Sequence, residues 1–167
     1  VASQSNLVMK YDFENVSGDV VYDMSGNGYD ASIVNGGAVE DGMMTFTADT
    51  KITTPLKTIS YPYTVTFDIE VGEGNGDNSA ILEGYDGRLS VKEDGTLRIN
   101  RSYFEQTFGN YKLNLNEKHN VAIVGTQQAT KLYVDGVLVK HLGRASASET
   151  DYENLATTFV LPVTNIG

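Results

Sequence analysis

The chain has 167 residues, of which 40% are apolar, enough for one domain with a substantial core. Acidic residues outnumber basic ones 22 to 12 and leave a net charge of −10, which gives no basic face for nucleic acid or anionic lipid. With no cysteine, disulfides, thiol catalysis and cysteine-ligated metals are excluded, and no run of 18 apolar residues predicts a membrane-spanning helix.

Read in chain order, the dominant signal is a period of two. "NLVMKYDFE" (Asn6–Glu14) predicts a strand with Leu7, Met9, Tyr11 and Phe13 inward. The next stretch, "YDMSGNGYDASIVNGG" (Tyr22–Gly37), is rich in Gly, Asp and Asn. Asp23 and Ser25 can bond the backbone two residues on, and Gly26, Asn27 and Gly28 tolerate positive φ, so it reads first as a structured turn. Asp23 and Asn27, with loop carbonyls, are also hard oxygen donors of the kind calcium takes. A phosphate cradle needs a following helix, and none is predicted. "MMTFT" (Met43–Thr47) is a short strand.

"YTVTFDIEV" (Tyr63–Val71) is the clearest strand, with Tyr63, Val65, Phe67, Ile69 and Val71 on one face. "VGEGNGDNS" (Val71–Ser79) reads as a flexible connection. "AILEGY" (Ala80–Tyr85), "RLSVKE" (Arg88–Glu93) and "TLRINRSY" (Thr96–Tyr103) form a meander turned at Asp86-Gly87 and Asp94-Gly95. "HNVAIVGT" (His119–Thr126) follows, and "KLYVDGVLVKHL" (Lys131–Leu142) folds back at Asp135-Gly136. Ser146–Ala156 suits at most a polar helical turn. "TTFVLPVTNIG" (Thr157–Gly167) reads as a last strand with Pro162 at an edge or bend. Ten to thirteen short strands and no amphipathic helix predict one domain over 1–167, an all-β two-sheet sandwich or barrel.

"YDFENVSGDVVYDMSGNGYDASIVNGG", "TVTFDIEV" and "KLYVDGVLV", in that order, resemble laminin-G-like domains of bacterial extracellular proteins. The resemblance implies a concanavalin-A-like antiparallel jelly roll. Two departures stand out. The chain has no tryptophan, and it stops at Ile166-Gly167, where such domains continue into a closing strand beside the first. On that reading the Leu7–Phe13 edge is uncovered, the chain is a piece of a larger polypeptide, and another chain is a candidate to pair with that edge.

Catalytic signals are poor. Asp68 and Glu70 share a strand face, but an ordinary solvated face explains them as well. Neither His119 nor His141 belongs to a nucleophile motif. Sugars are bound by aromatic faces and planar polar groups, and "RINRSYF" (Arg98–Phe104) supplies both. Tyr85, Arg98, Arg101, Tyr103 and Phe104 are therefore the candidate glycan-binding residues, against the plainer reading of a solvated face. With the resemblance, this predicts an extracellular or cell-surface, non-enzymatic glycan-binding module accessory to a secreted glycoside hydrolase. Its partners would be a glycan or neighbouring domains of the same polypeptide. The alternative is a structural or protein-interaction domain.

Overall fold

The computed structural model describes residues 6–84, 87–101, 104–143 and 159–167. Among them there is no α-helix, and the chain forms short strands throughout. The first half carries β1 (Val16–Ser17), β2 (Val20–Val21), β3 (Ala31–Val34), β4 (Ala38–Glu40), β5 (Met43–Thr45), β6 (Lys51–Thr53), β7 (Thr58–Ile59) and β8 (Tyr63–Glu70). Then come β9 (Ser79–Gly84), β10 (Gly87–Val91), β11 (Thr96–Arg101), β12 (Phe104–Lys112) and β13 (Lys118–Gly125). The last are β14 (Ala129–Val134), β15 (Val137–Gly143), β16 (Leu161–Pro162) and β17 (Asn165–Ile166).

Among the described residues the larger sheet has nine strands in the order β1-β2-β3-β6-β17-β9-β10-β11-β12. The smaller has four, β15-β14-β13-β8, and two ribbons, β16-β7 and β4-β5, flank them. Every pairing is antiparallel. The expected all-β sandwich of two antiparallel sheets is what forms.

Alternation places the core. Leu89 lies opposite Ile99, and Val91 opposite Leu97, on the inner face of the larger sheet. They meet Val121, Ile123 and Leu132 of the smaller sheet in one cluster, and Leu89, Leu97, Ile99, Val121, Ile123 and Leu132 are 0% exposed. Each such side chain contributes about 1.5–3 kcal/mol by leaving water. A second cluster of Val21, Ala31, Met44 and Ile52 lies under the β4–β5 ribbon, with Tyr11 and Phe13 packed on it. The β7–β16 ribbon reaches the main core because Gly84 and Gly87, which pair, carry no side chain where Pro162 and Phe159 pack.

Three expectations are corrected. Asn6–Glu14 is not a strand. Its backbone is bonded instead to the following loop, and Phe13 sits at φ 56, which ends any extended run. The bare edge expected at Leu7–Phe13 therefore does not exist. The sequence reading places no strand over 104–112, where β12 forms. The register between β11 and β12 slips between Thr96 and Arg98, and the irregularity breaks the two-residue rhythm of Phe104–Lys112. Thr157–Gly167 is not one strand: β16 pairs with β7, while β17 inserts between β6 and β9. Ser146–Ala156 lies outside the described residues.

The turns follow their chemistry. Asp135 and Gly136 both take positive φ, 50 and 81, between the paired Val134 and Val137. The Asp94-Gly95 turn is wider, and only Gly95 is left-handed, at φ 87. Gly87 is the first residue of β10 rather than a turn residue, and Asp86 lies outside the described residues.

Candidate functional site

The opening loop is organised around one carboxylate. Asp23 is 9% exposed. Its Oδ1 accepts the N–H groups of Lys10 and Ser25, both at 2.9 Å. Its Oδ2 accepts the Ser25 hydroxyl at 2.7 Å and the Tyr29 N–H at 3.0 Å. Burial pushes the Asp23 carboxyl up, but these hydrogen bonds outweigh it and hold the group below its ordinary value. Asn27 donates its amide to the carbonyls of Leu7 and Val8, while Gly26 and Gly28 supply the positive φ. Beside the loop, burial and then Asp23 and Asp30 push the Tyr11 phenol up, and its hydroxyl donates to the Tyr29 carbonyl.

This donor set does not fit calcium. Both Asp23 oxygens face N–H and O–H donors, and Asn27 turns its nitrogen to the site. No group of three acidic, histidine or cysteine side chains among the described residues is placed to hold a metal. The loop is a latch tying Leu7–Lys10 to the body. Thermal unfolding is therefore expected to be the same in EDTA and in calcium. A melting temperature that falls in EDTA and returns with calcium would assign a cation to Asp23.

The second glycine-rich stretch meets the candidate glycan site. Arg98 is 6% exposed, not set on an open face. Its Nε donates to Ser90 Oγ at 3.1 Å and its Nη2 to the Asp77 carbonyl at 2.6 Å. Lys92 adds an ion pair to the Asp77 carboxylate at 3.7 Å. The guanidinium thus anchors the Val71–Ser79 connection against β10 and β11. Alternation sets Arg98 on the strand face away from Leu97 and Ile99, and the loop that folds over it comes from another part of the chain.

Of the other expected residues, Arg101 and Phe104 are partners in the β11–β12 register, and Gly87 pairs with Arg101. Their backbones therefore come to one end of the larger sheet. Tyr85 and Tyr103 lie outside the described residues. Asp68 accepts the Asn120 amide at 2.9 Å and pairs with Lys118 at 3.7 Å. His119 is buried and reaches Asp135 Oδ2 at 2.8 Å, and Asp135 Oδ1 accepts the Asn120 N–H at 2.9 Å. That pair pins the Asp135-Gly136 turn to β13 and holds the Asp135 carboxyl below its ordinary value. His141 is half-buried.

The feature that sequence reasoning missed is a row across the outer face of the larger sheet. Residues directly opposite in an antiparallel ladder share a face. The registers align Ser32 with Thr53, Thr53 with Asn165, Asn165 with Glu83, Glu83 with Arg88, and Arg88 with Asn100. Six polar residues from β3, β6, β17, β9, β10 and β11 thus lie side by side, spanning about 24 Å at the usual strand spacing. Thr53 Oγ1 donates to Asn165 Oδ1 at 3.0 Å, and Arg88 Nη2 lies 2.5 Å from Glu83 Oε2. Ser32 is exposed and the other five are half-buried. The next residues along, Ile33, Ile52, Ile166, Leu82, Leu89 and Ile99, form the matching apolar row inside. Each half of this signal was visible as alternation. The alignment was not, because β17 brings Asn165 in from the far end of the chain.

No family model and no curated protein matches the sequence. Solved structures do. A mutant Trypanosoma rangeli sialidase displaying trans-sialidase activity superposes on 99% of this chain with TM-score 0.64 and 16% identity. The chain spans only 28% of that protein. The carbohydrate-binding module CBM66 from Bacillus subtilis matches 81% of the chain and 90% of its own length, with TM-score 0.48 and 18% identity. Domain 4 of AbnA, an extracellular GH43 arabinanase from Geobacillus stearothermophilus solved with arabinotriose, matches 93% of the chain and 72% of its own, with TM-score 0.45 and 16% identity. At such identity the likeness to the sialidase is one of fold: this is a β-sandwich.

Proposed function

We propose that the chain is a non-catalytic carbohydrate-binding module of a secreted glycoside hydrolase, related to laminin-G-like domains, and that the cross-strand polar row is its binding face. The carrying observation is the alignment of Thr53, Asn165, Glu83, Arg88 and Asn100 as half-buried neighbours. Amide, guanidinium, carboxylate and hydroxyl together offer the mixed donors and acceptors that a ring of hydroxyl groups requires. Because the Arg88–Glu83 and Thr53–Asn165 pairs hold one another, little rotamer entropy remains to be lost on binding. By residue type, Tyr85, Arg101, Tyr103 and Phe104 remain candidates to add aromatic planes and a donor fork to that binding.

Hydrolysis needs two carboxyl groups with opposed roles. Among the described side chains the row has one, Glu83, clamped by Arg88 at 2.5 Å. That favours binding over cleavage. A shallow row binds weakly, and tethering to a catalytic domain makes weak binding effective by raising local concentration. The module would then work outside the cell, with the polymer and its own neighbouring domains as partners.

A glycan array probed with the whole chain tests the proposal. Binding is expected to at least one family of oligosaccharides, and Arg88→Ala is expected to weaken it roughly tenfold, the loss of about one good polar contact. Unfolding should hardly change in that variant, since a surface ion pair contributes about 0–1 kcal/mol. An array silent at high protein density, or Arg88→Ala binding like the parent, would leave the interaction-domain reading in its place.

A further inference from the structure

Resting on the reading of the polar row as a glycan-binding face, we infer that the glycine-rich connection between β8 and β9 is a wall along that row. The glycan it admits is an extended, unbranched chain laid across the strands, and Arg98 is the residue that positions the wall.

Ser90 and Arg98 belong to the outer face. Each lies two residues along its strand from a member of the row, Ser90 from Arg88 and Arg98 from Asn100, and the two are direct partners. Such a pair on an open face would meet water, yet Ser90 is 0% exposed and Arg98 6%. The connection closes over them: Arg98 Nη2 donates to the Asp77 carbonyl at 2.6 Å while its Nε donates to Ser90 Oγ at 3.1 Å. At the usual rise per residue the covered pair stands about 7 Å from Arg88 and Asn100. Over β10 and β11 the open face therefore ends one step from the row on that side.

The wall is pinned at both ends. At its start the Asn116 N–H donates to the Val71 carbonyl at 2.8 Å, and the Asn116 amide donates to the Glu73 carboxylate at 3.3 Å. Toward its end the Ser79 hydroxyl donates to the Asn75 carbonyl, and Lys92 pairs with the Asp77 carboxylate at 3.7 Å. Gly74 and Gly76, at φ 72 and 81, make the bends between. A segment already held costs little entropy to keep beside a ligand. A sugar chain running along β10 and β11 toward Ser90 and Arg98 would meet the wall after one ring. Running across the strands, the same chain passes Asn100, Arg88, Glu83, Asn165 and Thr53 in turn, at about 4.8 Å per strand, and stays clear of it. Branches on every sugar project from both flanks of such a chain, and those on one flank enter the space that the wall fills.

The test is a glycan array probed with the whole chain. It carries main chains of glucose, xylose, arabinose or fructose, two to six units long, either bare or branched at every unit. Bare chains are expected to bind more tightly as they lengthen, and branched chains roughly tenfold more weakly than bare ones of the same length. Arg98→Ala releases the wall, so branched chains should gain roughly threefold relative to bare ones, while bare chains keep their dependence on Arg88. Arg98→Lys reaches the Asp77 carbonyl or Ser90 but cannot fork to both, and should fall between. The ratios of the parent chain need no variant, so a poorly folding Arg98→Ala leaves the test standing. Bare and branched chains bound alike by the parent, a disaccharide bound as tightly as a hexasaccharide, or an unchanged ratio in folded Arg98→Ala would each overturn the wall; with Arg88→Ala still weakening binding, the row itself would stand. An array silent throughout would overturn both.

Discussion

Replacing Gly95 by alanine is expected to be the most damaging single-methyl change in the chain. Gly95 sits at φ 87, and a Cβ there would lie 2.2 Å from the Leu113 carbonyl oxygen. The obstacle is backbone, so no rotamer change relieves it. That backbone is also committed: the Leu113 N–H donates to the Gly95 carbonyl at 2.9 Å, and Gly95 donates to Lys92 at 2.9 Å. The turn is sewn to β12 a second time by Asp94, which pairs with Lys112 at 2.7 Å and accepts the Thr96 N–H at 3.0 Å. Moving Leu113 aside would disturb a core residue that is 2% exposed. Left-handed strain and overpacking together should cost about 3–5 kcal/mol. Gly136→Ala is the control: φ is 81 there, but nothing lies within 4 Å of the added Cβ, so only the backbone penalty of about 1–2 kcal/mol remains. Urea midpoints at constant slope measure both. Equal losses at the two glycines would show that φ alone matters and that the Leu113 contact yields.

The glycines also show what was legible. "DG" at Asp135-Gly136 announced a tight hairpin, because both residues accept the positive φ that the turn imposes. The same letters at Asp94-Gly95 gave the turn but not the reason for the glycine, which is the close passage of Leu113, the residue just past the end of the neighbouring β12. β8, β13 and the β14–β15 hairpin were readable because one face of each meets the core and the other meets water. β12 was not, since its slipped register hides the alternation. The Asn6–Glu14 stretch alternates as a strand should, yet its backbone partners are an aspartate and a loop, and those contacts override local pattern. At the candidate site, the two-residue period of "TLRINR" sets Arg98 and Asn100 on a common face. It could not know that Asp77 would bury the first, or that Asn165 and Arg88 would stand in line with the second.

Asp23→Ala is expected to loosen the whole entry to the domain. Three backbone N–H groups, of Lys10, Ser25 and Tyr29, and the Ser25 hydroxyl converge on that carboxylate from residues up to thirteen positions away. Truncation leaves those donors without an acceptor, and with part of the site exposed the loss should be about 2–4 kcal/mol. Asp23→Asn keeps the size and one acceptor oxygen, so it should fall between. The pH dependence separates this role from simple packing. The Asp23 carboxyl is held below its ordinary value in the folded chain, so its stabilisation is fully present above the unfolded value, about 3.9. It is lost as pH falls through the lower, folded value, where protonation removes the acceptor charge. The gap in urea midpoint between the parent and Asp23→Asn should therefore be wide at pH 7 and shrink toward pH 2–3. Hydrogen exchange in residues 7–10 should rise in the variant at pH 7, because Met9 and Tyr11 would lose the tether that holds them against the two cores. A gap of the same size at both pH values would mean that shape, and not the charge of the carboxylate, holds the loop.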